Sequence, residues 1–385
     1  MFTALTRSLV CSFTLVAGLA CSLPAAHACP PAIDPQGTSV TQPQPVVRIA
    51  LLLDTSNSMD GLIGQAKAQL WNIVNRFNQS CKAGQKPRLQ IALYQYGNDK
   101  LDADGKWIQQ VCGFTSDLDV LSEKLFGLQT NGGTELCGPA IGAALRDLAW
   151  NKSEADASFI FIAGNEPFDQ AAYSEEIADA VRKGVRINTI FCGTYQEGVH
   201  GKWLDGATLG RGKYNVIDQS AEVRHIETPY DNEISSLGSE VNTTYLAFGQ
   251  KGKDSQVRQE RMDTAARSAA PAAALERSVS KNSAVYDASD WDLVQAVTDK
   301  KVKLEDVKKA DLPADLQGLS LAELQEKITQ LQTRRSAINL RVQELTKQRE
   351  AFIAKQQPND KANTLGDALV KMITQQATEE GFTFE

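Results

Sequence analysis

Arg48-Ile-Ala-Leu-Leu-Leu-Asp-Thr-Ser-Asn-Ser-Met59 is the stretch on which the fold turns. Its aliphatic run reads as a strand buried on both faces, the kind found in the middle of a parallel sheet. The run ends in an acid followed by two hydroxyls at alternate positions, Asp54, Ser56 and Ser58. Side chains leaving such a strand at its carboxyl end face the crevice where open α/β sheets bind ligands. One carboxylate and two hydroxyls are all oxygen donors, a set that suits a hard divalent cation such as Mg2+. The plainer alternative is a turn in which Ser56 or Ser58 caps the helix that follows.

Downstream, strands and helices alternate. Leu62, Ile63, Ala66, Leu70, Ile73, Val74 and Phe77 recur at helical spacing between Asp60 and Cys81. Residues 88–96 and 107–114 read as strands, and Asp102-Ala-Asp-Gly105 between them has hairpin chemistry, which makes the second an antiparallel edge. Helices are expected over 118–128, 137–150, 173–182 and 229–248, and strands over 157–163, 185–192 and 212–217. The order predicts an α/β fold: a doubly wound, mostly parallel sheet with an antiparallel edge strand and helices on both faces.

This order, together with Asp54-x-Ser56-x-Ser58 and the glycine turn Thr130-Asn-Gly-Gly-Thr134, resembles the von Willebrand factor A domain over about residues 46–249. The resemblance implies a Rossmann-like fold and a metal-ion-dependent adhesion site in which Asp54, Ser56, Ser58 and Thr134 hold Mg2+. A partner's carboxylate would then enter the metal's open position. Thr134 also reads as a cap for the helix beginning near Cys137. The third loop departs from the family pattern. Where the family has Thr-Asp-Gly, this chain has Ile162-Ala163-Gly164-Asn165-Glu166-Pro167, so Ala163 stands at the aspartate position, with Asn165 and Glu166 as substitute donors. Residues 159–168, Tyr94-Gln-Tyr-Gly-Asn98 and residues 188–193 narrow the likeness to secreted bacterial members with a helical C-terminal region.

The amino-terminal sequence bears on location. Arg7, the uncharged apolar stretch Ser8–Ala20 and the small residues of Ala26-His27-Ala28 read as a secretory signal cleaved near Ala28, which predicts a periplasmic or secreted protein. A competing lipid anchor at Cys21 is preceded by Gly18-Leu19-Ala20, a poor lipobox. In an oxidising compartment Cys81 and Cys112 are expected to pair, as are Cys137 and Cys192, leaving Cys29 over. Net charge is −7, with no basic patch, which argues against a nucleic-acid partner. No catalytic motif stands out: neither G-x-S-x-G nor H-E-x-x-H occurs, and histidines number three. An enzyme is not expected.

Past residue 250 the character changes. Residues 249–283 are rich in Ala, Lys, Arg, Gln and Ser and read as a helical or flexible connector. Trp291 begins a short apolar helix as a packing anchor. Within residues 320–356, Leu321, Leu324, Ile328, Leu331, Arg335, Ile338, Val342, Leu345, Arg349 and Phe352 alternate three and four apart, a coiled-coil seam interrupted by two arginines. An antiparallel hairpin with a helix over 365–376, turning at Pro358-Asn-Asp360, is the preferred partner for that seam, and self-association the other. The expected organisation is a signal peptide (1–28), an extension (29–45), the A domain (46–249), a connector (250–289) and a helical region (290–385). The expected function is adhesion-like protein binding through the metal site. The alternative is a metal-independent envelope scaffold acting through its C-terminal helices.

Overall fold

The computed structural model describes residues 44–150, 156–223, 225–356 and 364–384. The expected signal peptide and cleavage site, Cys21, Cys29 and the turn at Pro358–Asp360 lie outside the described residues.

The chain runs β1 (Val46–Asp54), α1 (Asp60–Asn78), β2 (Ser80–Cys81), β3 (Arg88–Tyr96), β4 (Ile108–Thr115), α2 (Leu118–Phe126), α3 (Cys137–Asp147), β5 (Ala157–Gly164), α4 (Ser174–Arg182), β6 (Arg186–Cys192), α5 (Tyr195–His200), α6 (Trp203–Leu209) and β7 (Arg211–Ile217). It continues through α7 (Asp231–Glu240), α8 (Gly249–Ala269), α9 (Pro271–Lys281), α10 (Leu293–Thr298), α11 (Leu321–Gln356), α12 (Leu365–Glu379) and β8 (Thr383–Phe384). Six strands form one sheet in the order β4-β3-β1-β5-β6-β7. Neighbours in it run parallel except β3 and β4. The hairpin edge is thus where the turn chemistry put it, and β1 is central with every residue buried.

Alternation along β1 divides the core. Ile49, Leu51 and Leu53 face a layer shared with α1, α2, α9 and α12, whereas Ala50 and Leu52 face α3, α4 and Trp203 of α6. The first layer is thickened by the C-terminal helices. α12 lies on α1 and reaches β7, and the last strand, β8, pairs antiparallel with β2. Phe382 is buried, and the Phe384 ring stacks under the Arg76 guanidinium at 4.5 Å.

Two expectations about the C-terminal region need correction. The 249–283 segment is helical, one of its two expected forms, but it is not a flexible connector: α8 and α9 pack on each other and on α1 and α2. The seam of α11 packs against α7, α10 and α9 rather than forming the expected hairpin core with α12, which α1 takes instead. Leu324, Ile328 and Leu331 join Leu293, Val294, Leu304, Leu312 and Leu316 in a small third core, while Ile338, Val342 and Leu345 extend the main one. The two seam arginines set the register. Arg335 donates to Asp292 Oδ2 at 2.6 Å and to the Thr244 carbonyl at 2.6 Å. Arg349 reaches Glu276 at 2.9 Å and Asp231 at 3.2 Å. Trp291 is buried against Tyr245, ring centroids 5.0 Å apart, as a packing anchor.

Among the described cysteines neither expected disulfide forms. Cys112, Cys137 and Cys192 are free thiols, and Cys81, which is disulfide-bonded, pairs with none of them. Cys137 and Cys192 are instead ordinary buried core residues on opposite faces of the sheet.

Candidate functional site

β1 delivers Asp54 to the carboxyl end of the sheet, between the ends of β3 and β5. The chain turns there through a short 3-10 helix, Asn57–Met59, into α1. Asp54 Oδ1 accepts the Ser56 backbone N–H at 2.8 Å, the local bond that sets the turn. Ser56 and Ser58 hydroxyls lie 3.2 Å apart, and the Asn165 amide donates to Ser58 Oγ at 3.1 Å. The fold therefore brings Asp54, Ser56, Ser58 and Asn165 into one hydrogen-bonded set, with Asp54 buried at its floor and Ser58 exposed at its rim.

The walls press closely on that carboxyl. Gly97, at φ +73°, lies where a Cβ would come within 2.8 Å of both Asp54 Oδ1 and Glu135 Cγ, so only glycine passes here without displacing one of them. Across the site, the Tyr96 hydroxyl donates to the Ala163 carbonyl at 3.0 Å and sits 3.8 Å from Cys137 Sγ. Asp54 Oδ2 is buried without a hydrogen-bond partner. Burial pushes the Asp54 carboxyl up to about 7, against the opposing Ser56 N–H, and the negative charges of Glu135 and Glu166 add to the rise. Burial also raises Glu135, with Glu166 contributing in the same sense.

The remaining expected donors are placed differently. Thr134 is exposed, and among the described residues its hydroxyl does not join the Asp54 set. Thr130 instead donates to Asp60 of α1. The Glu166 carbonyl accepts from the Trp203 indole at 2.8 Å, which ties the third loop to α6. Glu135 was not singled out by sequence reasoning. Its one signal is its position next to Thr134 in the glycine turn that folds over β3.

The expectation of a bound divalent cation, and with it of Mg2+ and a metal-ion-dependent adhesion site, is corrected by this geometry. Among the described residues no group of three His, Cys, Asp or Glu side chains is placed to hold a metal ion. Apart from the buried Asp54 Oδ2, the oxygens at the site are already engaged. Asp54 Oδ1 and the two serines are engaged with the backbone and with each other, and Ala163 supplies only a carbonyl that Tyr96 already occupies.

Comparison with known proteins bears on the domain type. Residues 49–209 match the von Willebrand factor type A domain. No curated protein matches the chain. Among solved structures, proximal thread matrix protein 1 from the mussel byssus is 14% identical, with 45% of this chain and 42% of that one covered and a TM-score of 0.34. The conserved hypothetical protein BatB from Bacteroides thetaiotaomicron is 18% identical over 45% of this chain and 91% of that one, with a TM-score of 0.35. The pilus adhesin SpaC from Lactobacillus rhamnosus GG is 11% identical over 46% of this chain and 28% of that one, with a TM-score of 0.33. The chain thus spans less than half the length of the byssus protein. Among the described residues no helix is long and apolar enough to cross a membrane. Strand order, the Asp54 turn and the matched span converge: residues 49–209 are a von Willebrand factor type A domain, and the protein carries extra helices packed on it.

Proposed function

We propose that this is a metal-independent protein-binding module, secreted or periplasmic, whose A domain recognises a basic group of a protein partner at the carboxyl end of the sheet. The observation that carries the reading is the buried Asp54 carboxyl, one oxygen unpartnered, beneath the exposed Ser58 and between Glu135 and Glu166. With no cation to invert the field, these carboxylates repel an acidic ligand and attract an ammonium or guanidinium. Ser58 and Asn165 add hydroxyl and amide groups at the rim for direct hydrogen bonds. The scaffold alternative is weakened by the packing of α11, whose seam is covered by the protein's own helices.

Fluorescence anisotropy with two labelled peptides, one Lys-rich and one Glu-rich, tests the reading. The Lys-rich peptide should bind, lose affinity with added salt, ignore EDTA and fail with Glu166→Lys. Preference for the Glu-rich peptide, or binding abolished by EDTA, would refute it.

A further inference from the structure

A cavity of about 510 Å³ lies between α1, α9, α11 and α12, away from the Asp54 crevice. That volume is within the range of small-molecule sites, about 300–1,000 Å³. Two of its walls are held in register. The Gln65 and Gln69 side chains of α1 accept the Leu365 and Gly366 N–H groups, each at 2.8 Å, and Arg76 Nε donates to Thr374 at 3.0 Å. α1 and α12 therefore run side by side in the same direction. Asp367 stands seven residues before Thr374, so it is set about 10 Å from the level of Arg76, at about 1.5 Å per residue.

Charge is divided along that length. Arg76, Lys86 and Lys347 line the end at the close of α1, with Glu350 as the acid beside them. Lys86 Nζ donates to the Asn78 carbonyl at 2.7 Å, and Glu350 accepts the Gln79 amide at 2.8 Å, which fixes both there. Lys347 is one turn before Glu350 on α11. Arg349, also in the wall, is neutralised by Glu276 at 2.9 Å. Arg76 donates Nε and Nη1 to the neutral side chains of Thr374 and Gln79, and among the described residues neither it nor Lys347 makes an ion pair. Three cations thus face one carboxylate. At the other end Asp367 Oδ2 accepts the Thr364 hydroxyl at 2.6 Å, and no cation pairs with Asp367 among the described residues. Val279, Val342 and Val370 form an apolar stretch of the wall.

A cationic end and an anionic end about 10 Å apart match a molecule carrying the opposite charges at its own two ends, rather than an ion of one sign. An extended peptide advances about 3.3–3.6 Å per residue, so three residues span that distance. We infer that the cavity between α1, α9, α11 and α12 binds a short peptide of about three residues with both termini free. Its carboxylate meets Arg76 and Lys347, its ammonium meets Asp367, and small apolar side chains lie against the valines. The amides of Asn72 and Gln343, also in the wall, serve its backbone. The site joins α1 of the A domain to helices outside the matched span and gives the C-terminal helices a role beyond covering the sheet.

Isothermal titration of the full chain with trialanine and with its N-acetylated, C-amidated form, each up to about 10 mM, tests this in the range of millimolar constants. Trialanine should bind and the capped peptide should not. Lys347→Glu reverses an exposed charge and should weaken trialanine by at least about tenfold, the scale of a charge-assisted hydrogen bond, while the thermal midpoint stays near wild type. Asp367→Asn keeps an acceptor for the Thr364 hydroxyl and should weaken binding on the same scale. Glu166→Lys, in the separate Asp54 crevice, should leave it unchanged. Failure of trialanine to bind the wild-type protein, equal binding of the capped peptide, affinity undiminished in either cavity variant, or binding lost in Glu166→Lys would overturn the inference.

Discussion

Arg277→Met is the substitution that best probes how the helical region is held. Arg277 is 1% exposed on α9, and its guanidinium donates to Asp263 at 2.6 Å, to Asp119 at 2.7 Å and to the Gln259 carbonyl at 3.0 Å. Its plane also lies 4.8 Å from the Trp71 ring of α1. One side chain thereby bolts α9 to α8, to α2 and to α1. Methionine keeps most of the aliphatic volume and removes the charge. Asp263 would retain Lys281 at 2.7 Å, but Asp119 would keep only the Tyr286 hydroxyl, at 2.5 Å, and no counter-charge. Breaking a buried ion pair from one side costs about 3–5 kcal/mol. Because Lys281 still neutralises Asp263, the lower end, about 3 kcal/mol, is expected, a large part of the 5–15 kcal/mol typical of a domain. Urea denaturation at pH 7 reads that loss, and hydrogen exchange should show α8 and α9 losing protection before β1 and β5. The cost lies in the stranded carboxylate, so Asp119→Asn in the Arg277→Met background should recover part of it. A loss below about 1 kcal/mol, or no recovery in the double variant, would refute the reasoning.

Three other outcomes follow from the same packing. Asp54, raised by burial from 3.8 to about 7, binds its proton more tightly when folded than when unfolded. Stability should therefore fall as pH rises from about 4 to about 7, by up to about 4 kcal/mol, and Asp54→Asn should remove that slope in thermal midpoints measured from pH 5 to pH 8. Leu331→Gln, in the third core, should cost about 2–5 kcal/mol in denaturation without altering the mass measured by light scattering; a change of oligomeric state would show instead that the seam faces a second chain. Gly138→Ala should destabilise markedly in a thermal melt, since the added Cβ would lie 2.0 Å from the Ala172 carbonyl where α3 meets the loop before α4; an unchanged midpoint would show that this loop yields.

The sheet was legible because its signal is local and periodic. Ile49 to Leu53 can be nothing but a strand covered on both sides, and Asp54, Ser56 and Ser58 fall at its end by simple alternation. Asn165 followed by the same logic from the end of β5, and it does meet Ser58. Thr134 and Glu135 sit in a glycine turn with no period, so spacing could not say that the glutamate turns inward and the threonine outward. The C-terminal region exposes a second limit. Period 3.5 correctly marked the buried stripe of α11, since Leu324 through Arg349 are covered, but a stripe records only that something covers it. The identity of the cover was written elsewhere, in Asp292, Thr244, Asp231 and Glu276, residues that read as surface until Arg335 and Arg349 are placed against them. The 249–283 segment fails to announce its packing for the same reason. Besides Leu275 and Val279, its interior contacts are made by Gln259, Asp263, Arg277 and Lys281, and a buried ionic lattice has the composition of a solvated helix face. Hydropathy patterning finds cores held by apolar area and misses those held by charge, so in this chain it found the A domain and called its fastening a linker.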